Sequence, residues 1–216
     1  VQYFLFEPAD GDIRRVIASF DQITLSWVLG VLHETAVGLR QLHLALIAHQ
    51  DVKLSNVLAF GGGKQVKVAD LGCASVRGQS CPRDGLGIPG QVSYAPPEQL
   101  YSYVHPDWLI RRVGSDMYQL GSLGFFLLCG IPMNAMLAAE LEGQFHWGRW
   151  SGTYADVLPR IEFCFARIKA RLLSEGAPEA HRLILLLSEL CEPNYKNRGD
   201  RSRAAAPQRQ YSLEAY

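Results

Sequence analysis

Hydrophobic residues recur at three- and four-residue steps between positions 25 and 42. Because this spacing puts them on one face of a helix, we predict an amphipathic helix that ends shortly before His49. Similar spacing over residues 137–172 and from Arg182 to Cys191 predicts further helices. The distribution of apolar positions therefore indicates a mainly α fold.

A more continuous apolar run lies between Ser115 and Cys129. We predict a buried helix here, with Ser115 as its N-cap, since a serine hydroxyl can accept from the free N–H groups of a first turn. Gly130 and Pro132 should end this helix. The run is too short and too often interrupted by glycine to cross a bilayer, so we expect no membrane span.

Two short β-prone runs, at residues 57–60 and 65–68, flank the glycines at 61–63. This arrangement predicts a β-hairpin whose tip is rich in glycine. A hairpin brings its two ends together. We therefore expect Asn56 and Asp70, which flank the hairpin in sequence, to lie at one mouth.

Two other segments lack a helical pattern. Residues 1–6 are mostly apolar and predict a buried strand. Residues 73–94 are rich in Gly, Pro, Ser and Arg and have no periodicity, which predicts a long loop. A long loop within a compact domain is usually functional or mobile.

Composition narrows the function classes only slightly. The 216 residues are 48% hydrophobic and 19% charged with a formal net charge of +0, which suits one globular unit. The neutral net charge gives no support for nucleic-acid binding. We interpret the basic run at 196–203 as a solvated tail. The five cysteines form no C-x-x-C pair and are odd in number, so we expect a reducing, cytoplasmic compartment.

The candidate chemistry lies between positions 49 and 70. A phosphoryl transferase needs a carboxylate to orient the attacking hydroxyl, a cation near the transferring phosphate, and oxygen ligands for Mg²⁺. Residues of each kind occur close together: Asp51, Lys53, Asn56 and Asp70. The combination points to phosphoryl transfer.

The spacing of these residues resembles that of protein kinases. Residues 49–56 are similar to the catalytic loop H-R-D-x-K-x-x-N, with Gln50 in place of the arginine. The Asp-Leu-Gly at 70–72 resembles the magnesium-binding D-F-G, and the Ala-Pro-Pro-Glu at 95–98 resembles the A-P-E that closes the activation segment. The order and the separations agree with the family.

The resemblance extends from residue 1 to about residue 203 and covers the larger lobe of a eukaryotic-type protein kinase domain. It implies a kinase C-lobe, which is a helical bundle with a small β-hairpin next to the catalytic loop. The activation segment would span residues 70–98 and the hinge about residues 3–12. Residues 204–216 would form a C-terminal tail.

The resemblance also implies roles for individual residues. Asp51 would orient the acceptor hydroxyl and accept its proton, and Lys53 would balance charge on the γ-phosphate of ATP. Asn56 and Asp70 would bind Mg²⁺. The implied ATP contacts lie in the hinge and beneath the adenine: Glu7, Ala9, Asp12 and Leu58.

Four further residues would have structural roles by the same resemblance. Asp116 would hold the backbone of the catalytic loop, which contains His49. Glu98 would pair with Arg198, although a hundred residues separate them, and would tie the activation segment to the last helices. Otherwise Arg198 is simply part of a solvated basic tail.

No G-x-G-x-x-G motif precedes a strand in the chain, and no V-A-I-K-like lysine is present. The resemblance therefore implies a fragment that lacks the N-lobe. The expected partners are the missing N-lobe of the same polypeptide and a protein substrate with a Ser or Thr acceptor. We expect the isolated fragment to be inactive.

Three departures or signals refine the expected activity. Lysine two residues after the catalytic Asp is typical of serine/threonine kinases. Gln91 stands where these kinases usually have a Thr that touches Asp51 and Lys53. Gln50 replaces the Arg that normally gathers a phosphorylated activation loop, so we expect no activation by phosphorylation.

Two alternatives to an active protein kinase remain. One is a pseudokinase that acts as a nucleotide-binding scaffold, although the chain retains the catalytic Asp and both metal ligands. The other is a small-molecule kinase of the aminoglycoside or choline type. Lys53 and Glu98 disfavour that class, because such enzymes normally lack both features.

Overall fold

The computed structural model of the chain describes residues 5–203 and 205–215. Helices dominate this part of the chain, as the sequence predicts, and the strands are short. The helices are α1 (Ile13–Ala18), α2 (Leu25–Leu44), α3 (Pro97–Leu100), α4 (Gly114–Cys129), α5 (Met133–Glu140), α6 (Tyr154–Glu175), α7 (His181–Leu190) and α8 (Pro207–Gln210). The strands are β1 (Gly11–Asp12), β2 (Ile47–Ala48), β3 (Val57–Phe60), β4 (Gln65–Val68) and β5 (Ser75–Val76).

Helix α4 forms the centre of the core, and nearly all of its residues are buried. It packs against α2 on one side and α7 on the other. Gly124 permits the close approach of α7, because a Cβ atom there would overlap the Leu187 side chain. The helix ends at Gly130, which adopts the left-handed conformation that stops helices. The buried helix predicted for this region is therefore confirmed.

The predicted N-cap of α4 is wrong. Ser115 lies inside the helix and is fully buried, where its hydroxyl accepts from Gln99 Nε2 at 3.3 Å. A single π-helical segment, Leu109–Val113, runs directly into α4. Because the preceding residues already have helical backbone angles, no capping position exists at Ser115.

Helix α2 and the hairpin also match their predictions. The Thr24 hydroxyl caps α2 by accepting from the backbone N–H of Trp27. Strands β3 and β4 pair antiparallel, with Val57 opposite Val68. Strand β1 adds to the free edge of β3 and completes a three-stranded sheet. Helix α2 packs against β4 and against β2, the strand that directly precedes the catalytic loop.

The predicted buried strand at the start of the chain is not present in the described residues. Residues 1–4 lie outside the described part. Leu5 and Phe6 are 90% and 85% exposed and form no strand. Their apolar character predicted burial, so the prediction is wrong for these two residues.

Residues 73–94 form the predicted long loop, with little regular structure. Within it, β5 pairs antiparallel with β2, which directly precedes the catalytic loop. The loop is therefore fastened beside residues 49–56. The helices predicted in the later part are present as α5, α6 and α7, whereas residues 141–153 are not helical.

The helices can also be compared with the length and apolar character that a membrane-spanning helix needs. Within residues 5–203 and 205–215, no single helix has the length and apolar character needed to cross a bilayer. The helical segments 109–129 and 133–140 combine that length and apolar character only when taken as a pair, and they bend by 83° at the break between them.

Candidate active site

Helix α4 holds the catalytic loop through the buried carboxylate of Asp116. Its Oδ2 accepts from the backbone N–H of His49 and its Oδ1 from that of Gln50, both at 2.7 Å. The His43 ring of α2 lies 2.9 Å from Oδ2. Asp116 is fully buried. Its carboxylate therefore joins two helices to the start of the loop, as the resemblance implies.

A second residue of α4, Gln119, has the same function and was not predicted. Its Oε1 accepts from the backbone N–H of Val52 at 2.8 Å, and its Nε2 donates to the carbonyl of Gln50 at 3.0 Å. Residues three apart on a helix share a face, so Asp116 and Gln119 both bind the backbone of the catalytic loop from the same side of α4. That helical spacing is the only sequence signal by which Gln119 was detectable.

His49 is fully buried and links the catalytic loop to the end of the hairpin. Its Nε2 lies 2.9 Å from the carbonyl oxygen of Ala69, and its Nδ1 lies 3.2 Å from the backbone nitrogen of Asp51. Because the Asp51 N–H donates to Nδ1, the ring proton belongs on Nε2 and is donated to Ala69. The ring thus fixes residues 51 and 69 relative to each other.

The carboxylate of Asp51 is the point on which the local polar contacts converge. Its Oδ2 accepts from Lys53 Nζ at 2.7 Å and from Asn56 Nδ2 at 3.0 Å. Its Oδ1 accepts from the backbone N–H of Gln91 at 2.9 Å. An ionised carboxylate has about four acceptor positions, so one position on Oδ1 is left over. The three residues predicted to act together in the catalytic loop are therefore in contact.

Asn56 and Asp70 flank the hairpin as predicted. The backbone N–H of Ala69 donates to the Asn56 carbonyl at 2.9 Å, which fixes the two ends side by side. Asp70 is exposed and has a left-handed backbone, with φ of 66°. A non-glycine residue in that conformation is strained, and such strain is concentrated at functional sites.

The oxygen atoms of Asn56 and Asp70, at the open end of the β3–β4 hairpin, are of the kind that binds Mg²⁺. Asn56 uses its amide nitrogen toward Asp51, and its Oδ1 accepts from the Ser55 hydroxyl at 3.2 Å and keeps a second acceptor position. Asp70 contributes a carboxylate, of which only Oδ1 accepts a hydrogen bond, from Gly72 N–H. No cluster of three or more His, Cys, Asp or Glu side chains suited to a metal occurs in the described part of the chain. Mg²⁺ commonly takes one or two protein ligands plus phosphate and water oxygens, so two ligands suffice.

The predicted ATP contacts lie on and beside the three-stranded sheet. Leu58 of β3 lies opposite Asp12 of β1 and is partly exposed. Glu7 is exposed and forms an ion pair with Lys67, and Ala9 is partly exposed. All four residues therefore keep some exposed surface, with Asp12 and Leu58 on neighbouring strands.

Asp12 has a structural contact that the sequence prediction did not include. Its carboxylate caps α1 and accepts from the Arg14 side chain at 2.7 Å. The hydrogen bond from Arg14 lowers the pKa of Asp12. A ribose hydroxyl at this carboxylate would have to share it with the helix cap.

Gln50 connects the catalytic loop to a buried arginine that the sequence analysis missed. Gln50 Oε1 accepts from Arg112 Nη1 at 3.2 Å, and Gln50 Nε2 donates to the Arg112 carbonyl at 2.7 Å. Arg112 also donates from Nη2 to the backbone carbonyl and the carboxylate of Asp84. Burial lowers the pKa of Arg112, with a further contribution from Arg111. A guanidinium is thus present near the loop, supplied by a different element.

Asp84 fastens the activation segment to this arginine. Its carboxylate also accepts from the Ser75 hydroxyl at 2.7 Å and from the Cys81 backbone N–H at 2.9 Å. Partial burial alone would raise the pKa of Asp84, but the Ser75 and Cys81 hydrogen bonds and the Arg112 charge outweigh it and lower the pKa. The carboxylate of Asp84 therefore pairs with Arg112, the guanidinium near the catalytic loop.

The side chain of Gln91 does not contact Asp51. Gln91 Nε2 donates to the Ser93 hydroxyl at 2.7 Å, and the bond to Asp51 comes from the backbone N–H instead. Gln91 therefore does not reproduce the side-chain contact of the Thr that serine/threonine kinases usually have at this position. The longer glutamine side chain instead reaches a nearer partner two residues along its own segment.

Glu98 and Arg198 form the predicted pair. Arg198 Nη1 and Nη2 donate to Glu98 Oε1 and Oε2, each at 2.7 Å. Arg198 also donates to the carbonyls of Gly114, Glu192 and Pro193. Burial alone would lower the pKa of Arg198, but the adjacent Glu98 carboxylate outweighs it and raises the pKa. The pair joins the activation segment to the end of the helical bundle.

Comparisons with known proteins agree with this geometry. A family model described as "Protein kinase domain" matches residues 2–201. A cyclin-dependent kinase C-3 of Oryza sativa subsp. japonica is 34% identical over 150 residues, with 60% of this chain and 44% of the relative covered. A calcium and calcium/calmodulin-dependent serine/threonine-protein kinase of Pisum sativum is 31% identical over 124 residues, covering 56% of this chain and 22% of that protein.

A solved structure, the yeast RNA Pol II CTD kinase CTDK-1 complex, aligns with a TM-score of 0.62 and 19% identity. The alignment covers 93% of this chain and 68% of the solved chain, and it bears on the fold alone. The matched regions span less than half the length of the curated relatives.

Proposed function

This chain belongs to the protein kinase domain family, and we propose that it provides the catalytic and metal-binding half of a serine/threonine protein kinase. The observation that carries the proposal is the convergence of Lys53, Asn56 and the Gln91 amide on the Asp51 carboxylate. Such an arrangement orients a carboxylate toward an acceptor. The serine/threonine assignment is supported by Lys53 and by the similarity to the calcium and calcium/calmodulin-dependent serine/threonine-protein kinase of Pisum sativum.

Asp51 receives the acceptor proton in the proposed mechanism. Its Oδ2 already accepts two hydrogen bonds and its Oδ1 accepts one, so the acceptor hydroxyl approaches Oδ1. As the oxygen of the protein acceptor bonds to the γ-phosphorus, the bond from that phosphorus to the β,γ-bridging oxygen of ATP breaks and ADP leaves, while the acceptor proton passes to this carboxylate. Most of the acceleration arises from position and charge, because phosphoryl transition states are loose and need little covalent assistance.

Lys53 and the metal ligands handle the charge. Lys53, which is partly exposed, balances negative charge on the transferring group while it remains within reach of Asp51. Asn56 Oδ1 and the Asp70 carboxylate would hold Mg²⁺. When bound, Mg²⁺-ATP supplies the phosphoryl group and a cation that offsets charge on the phosphate oxygens. The hinge would comprise about residues 3–12, of which 3 and 4 lie outside the described part of the chain, and would place Glu7, Ala9 and Asp12 near the nucleotide, with Leu58 beneath the adenine.

The proposed enzyme also requires an N-lobe with a glycine-rich lid and an anchoring lysine, which we take to belong to the same polypeptide. We propose a cytoplasmic location for it. The five free cysteine thiols support a reducing compartment.

The test is transfer of labelled γ-phosphate by the polypeptide that contains this chain with its N-lobe. Acceptors would be a mixture of proteins, with an aminoglycoside and choline in parallel samples. The proposal predicts label on phosphoserine and phosphothreonine after acid hydrolysis. Label on phosphotyrosine alone, label on the small molecules, or nucleotide binding without transfer would each contradict it.

A further inference from the structure

Gly90 lies against the catalytic loop at a point where no side chain fits. A Cβ atom on Gly90 would lie 2.7 Å from Asp51 Oδ1 and 3.0 Å from Asp51 Cα, and it would overlap the carbonyl oxygen of Gln50. Two of these three atoms belong to backbone that α4 already holds. The Gln50 carbonyl accepts from Gln119, so it has little freedom to move away.

The close approach of Gly90 is not a consequence of an unusual backbone conformation. The φ angle of Gly90 does not lie in the left-handed region that favours glycine. Alanine is therefore allowed there by its own backbone and excluded only by the neighbouring atoms. The absence of a side chain at Gly90 therefore allows the activation segment to lie close to the catalytic loop.

The close approach at Gly90 lets the next residue, Gln91, form a hydrogen bond with the catalytic loop. The Gln91 backbone N–H donates to Asp51 Oδ1 at 2.9 Å, whereas its side chain points to Ser93. Within the described residues, this is the hydrogen bond that the activation segment gives to the Asp51 carboxylate. It acts on the same oxygen that retains a free acceptor position.

We propose that Gly90 and the Gln91 backbone N–H are a positioning pair that sets the orientation of the Asp51 carboxylate for proton acceptance. The proposal rests on the proposed kinase function and extends it. Gly90 permits the approach, and the amide N–H occupies one lone pair of Oδ1, so that the second lone pair faces the acceptor hydroxyl. The side chain at position 91 is not required for this action.

Two substitutions separate the parts of the pair. Gly90→Ala should push the activation segment away from the catalytic loop, and Gln91→Pro removes the N–H donor. The φ angle of −83° at position 91 lies close to the value that a proline ring fixes, but the ring Cδ would stand where the N–H pointed, so this variant removes the donor and also displaces Asp51 Oδ1. Gln91→Ala keeps the N–H and removes only the side chain. Gly87→Ala is the matched glycine control, since a Cβ there meets nothing within 4 Å.

The measurement is kcat and KM for ATP in the kinase that contains this chain, with nucleotide affinity and melting temperature recorded for each variant. We expect Gly90→Ala and Gln91→Pro to lower kcat on the order of a hundredfold while KM for ATP stays near the wild-type value. Gln91→Ala should retain most of the kcat that Gln91→Pro loses, and Gly87→Ala should behave as wild type.

Several outcomes would overturn the proposal. They are a wild-type kcat in Gly90→Ala, an equal loss in Gln91→Ala and Gln91→Pro, or a loss confined to KM for ATP. A wild-type protein without transfer activity would instead contradict the kinase function itself, which keeps the two failures distinct.

A measurement on the wild-type protein covers the case in which the variants fail to fold. In ¹⁵N-labelled kinase, the Gln91 amide proton should resonate downfield and exchange slowly, because it is bonded to a carboxylate. Asp51→Asn should move that resonance upfield. A random-coil shift with rapid exchange, or no response to Asp51→Asn, would contradict the pair.

Discussion

Replacing Glu98 by alanine should destabilise the chain by about 3–5 kcal/mol, because it strands a buried guanidinium without its counter-charge. Arg198 is 0% exposed and Glu98 is 5% exposed, and two bonds of 2.7 Å join them. The three carbonyl partners of Arg198 would remain after the substitution. They satisfy hydrogen bonds but do not neutralise the charge.

Arg198→Ala should cost a similar free energy of unfolding, since it leaves the Glu98 carboxylate buried and removes packing against Tyr118, whose ring centre lies 5.1 Å from the guanidinium carbon. The double variant leaves no stranded charge. Its loss should therefore fall short of the sum of the single losses by about 2–3 kcal/mol. Glu98→Gln separates charge from shape, because it keeps the volume of the side chain.

The assay is urea unfolding of the four proteins of this cycle, followed by circular dichroism. A second cycle on Arg40 and Glu214 is the control, since this ion pair is exposed on both sides and should show no measurable coupling. Additive losses below about 1 kcal/mol at Glu98 and Arg198 would refute the reasoning, because they would mean that water screens the pair.

Two further predictions concern activity. The 216-residue chain alone should show negligible ATP turnover, because it contains no glycine-rich lid or strand lysine to position the nucleotide; metal-dependent phosphate release that vanishes in Asp51→Ala would contradict this. Phosphatase treatment of the complete kinase should leave its rate unchanged, since Asp84 already occupies Arg112; a large loss restored by rephosphorylation at Ser80 or Ser93 would show that this internal carboxylate is insufficient.

The parts of the site that the sequence predicted are those encoded within short stretches. The catalytic loop is eight residues long, and the hairpin that follows it has β-prone runs on both sides of three glycines. Local spacing was therefore sufficient to predict that Asp51, Asn56 and Asp70 belong to one site. The Glu98–Arg198 pair spans a hundred residues and was predictable only through the family resemblance.

The parts that the sequence did not predict depend on packing between distant elements. Arg112 meets Gln50 across 62 residues and Asp84 across 28, so no local pattern relates them. Gly90 gives no signal in the sequence, because its importance lies in the atoms opposite it. Ser115 was misassigned as a cap because the π-helical segment before it is not recognisable from hydrophobic spacing.

The central claim is that Asp51 is the group that accepts the proton of a protein hydroxyl during phosphoryl transfer. The most direct measurement is the single-turnover transfer rate of the complete kinase with and without Asp51→Asn, with the dissociation constant for Mg²⁺-ATP determined on the same samples. We predict a loss of on the order of a hundredfold or more in rate with an unchanged dissociation constant. An unchanged single-turnover rate, or a loss explained by weaker nucleotide binding, would contradict the assignment.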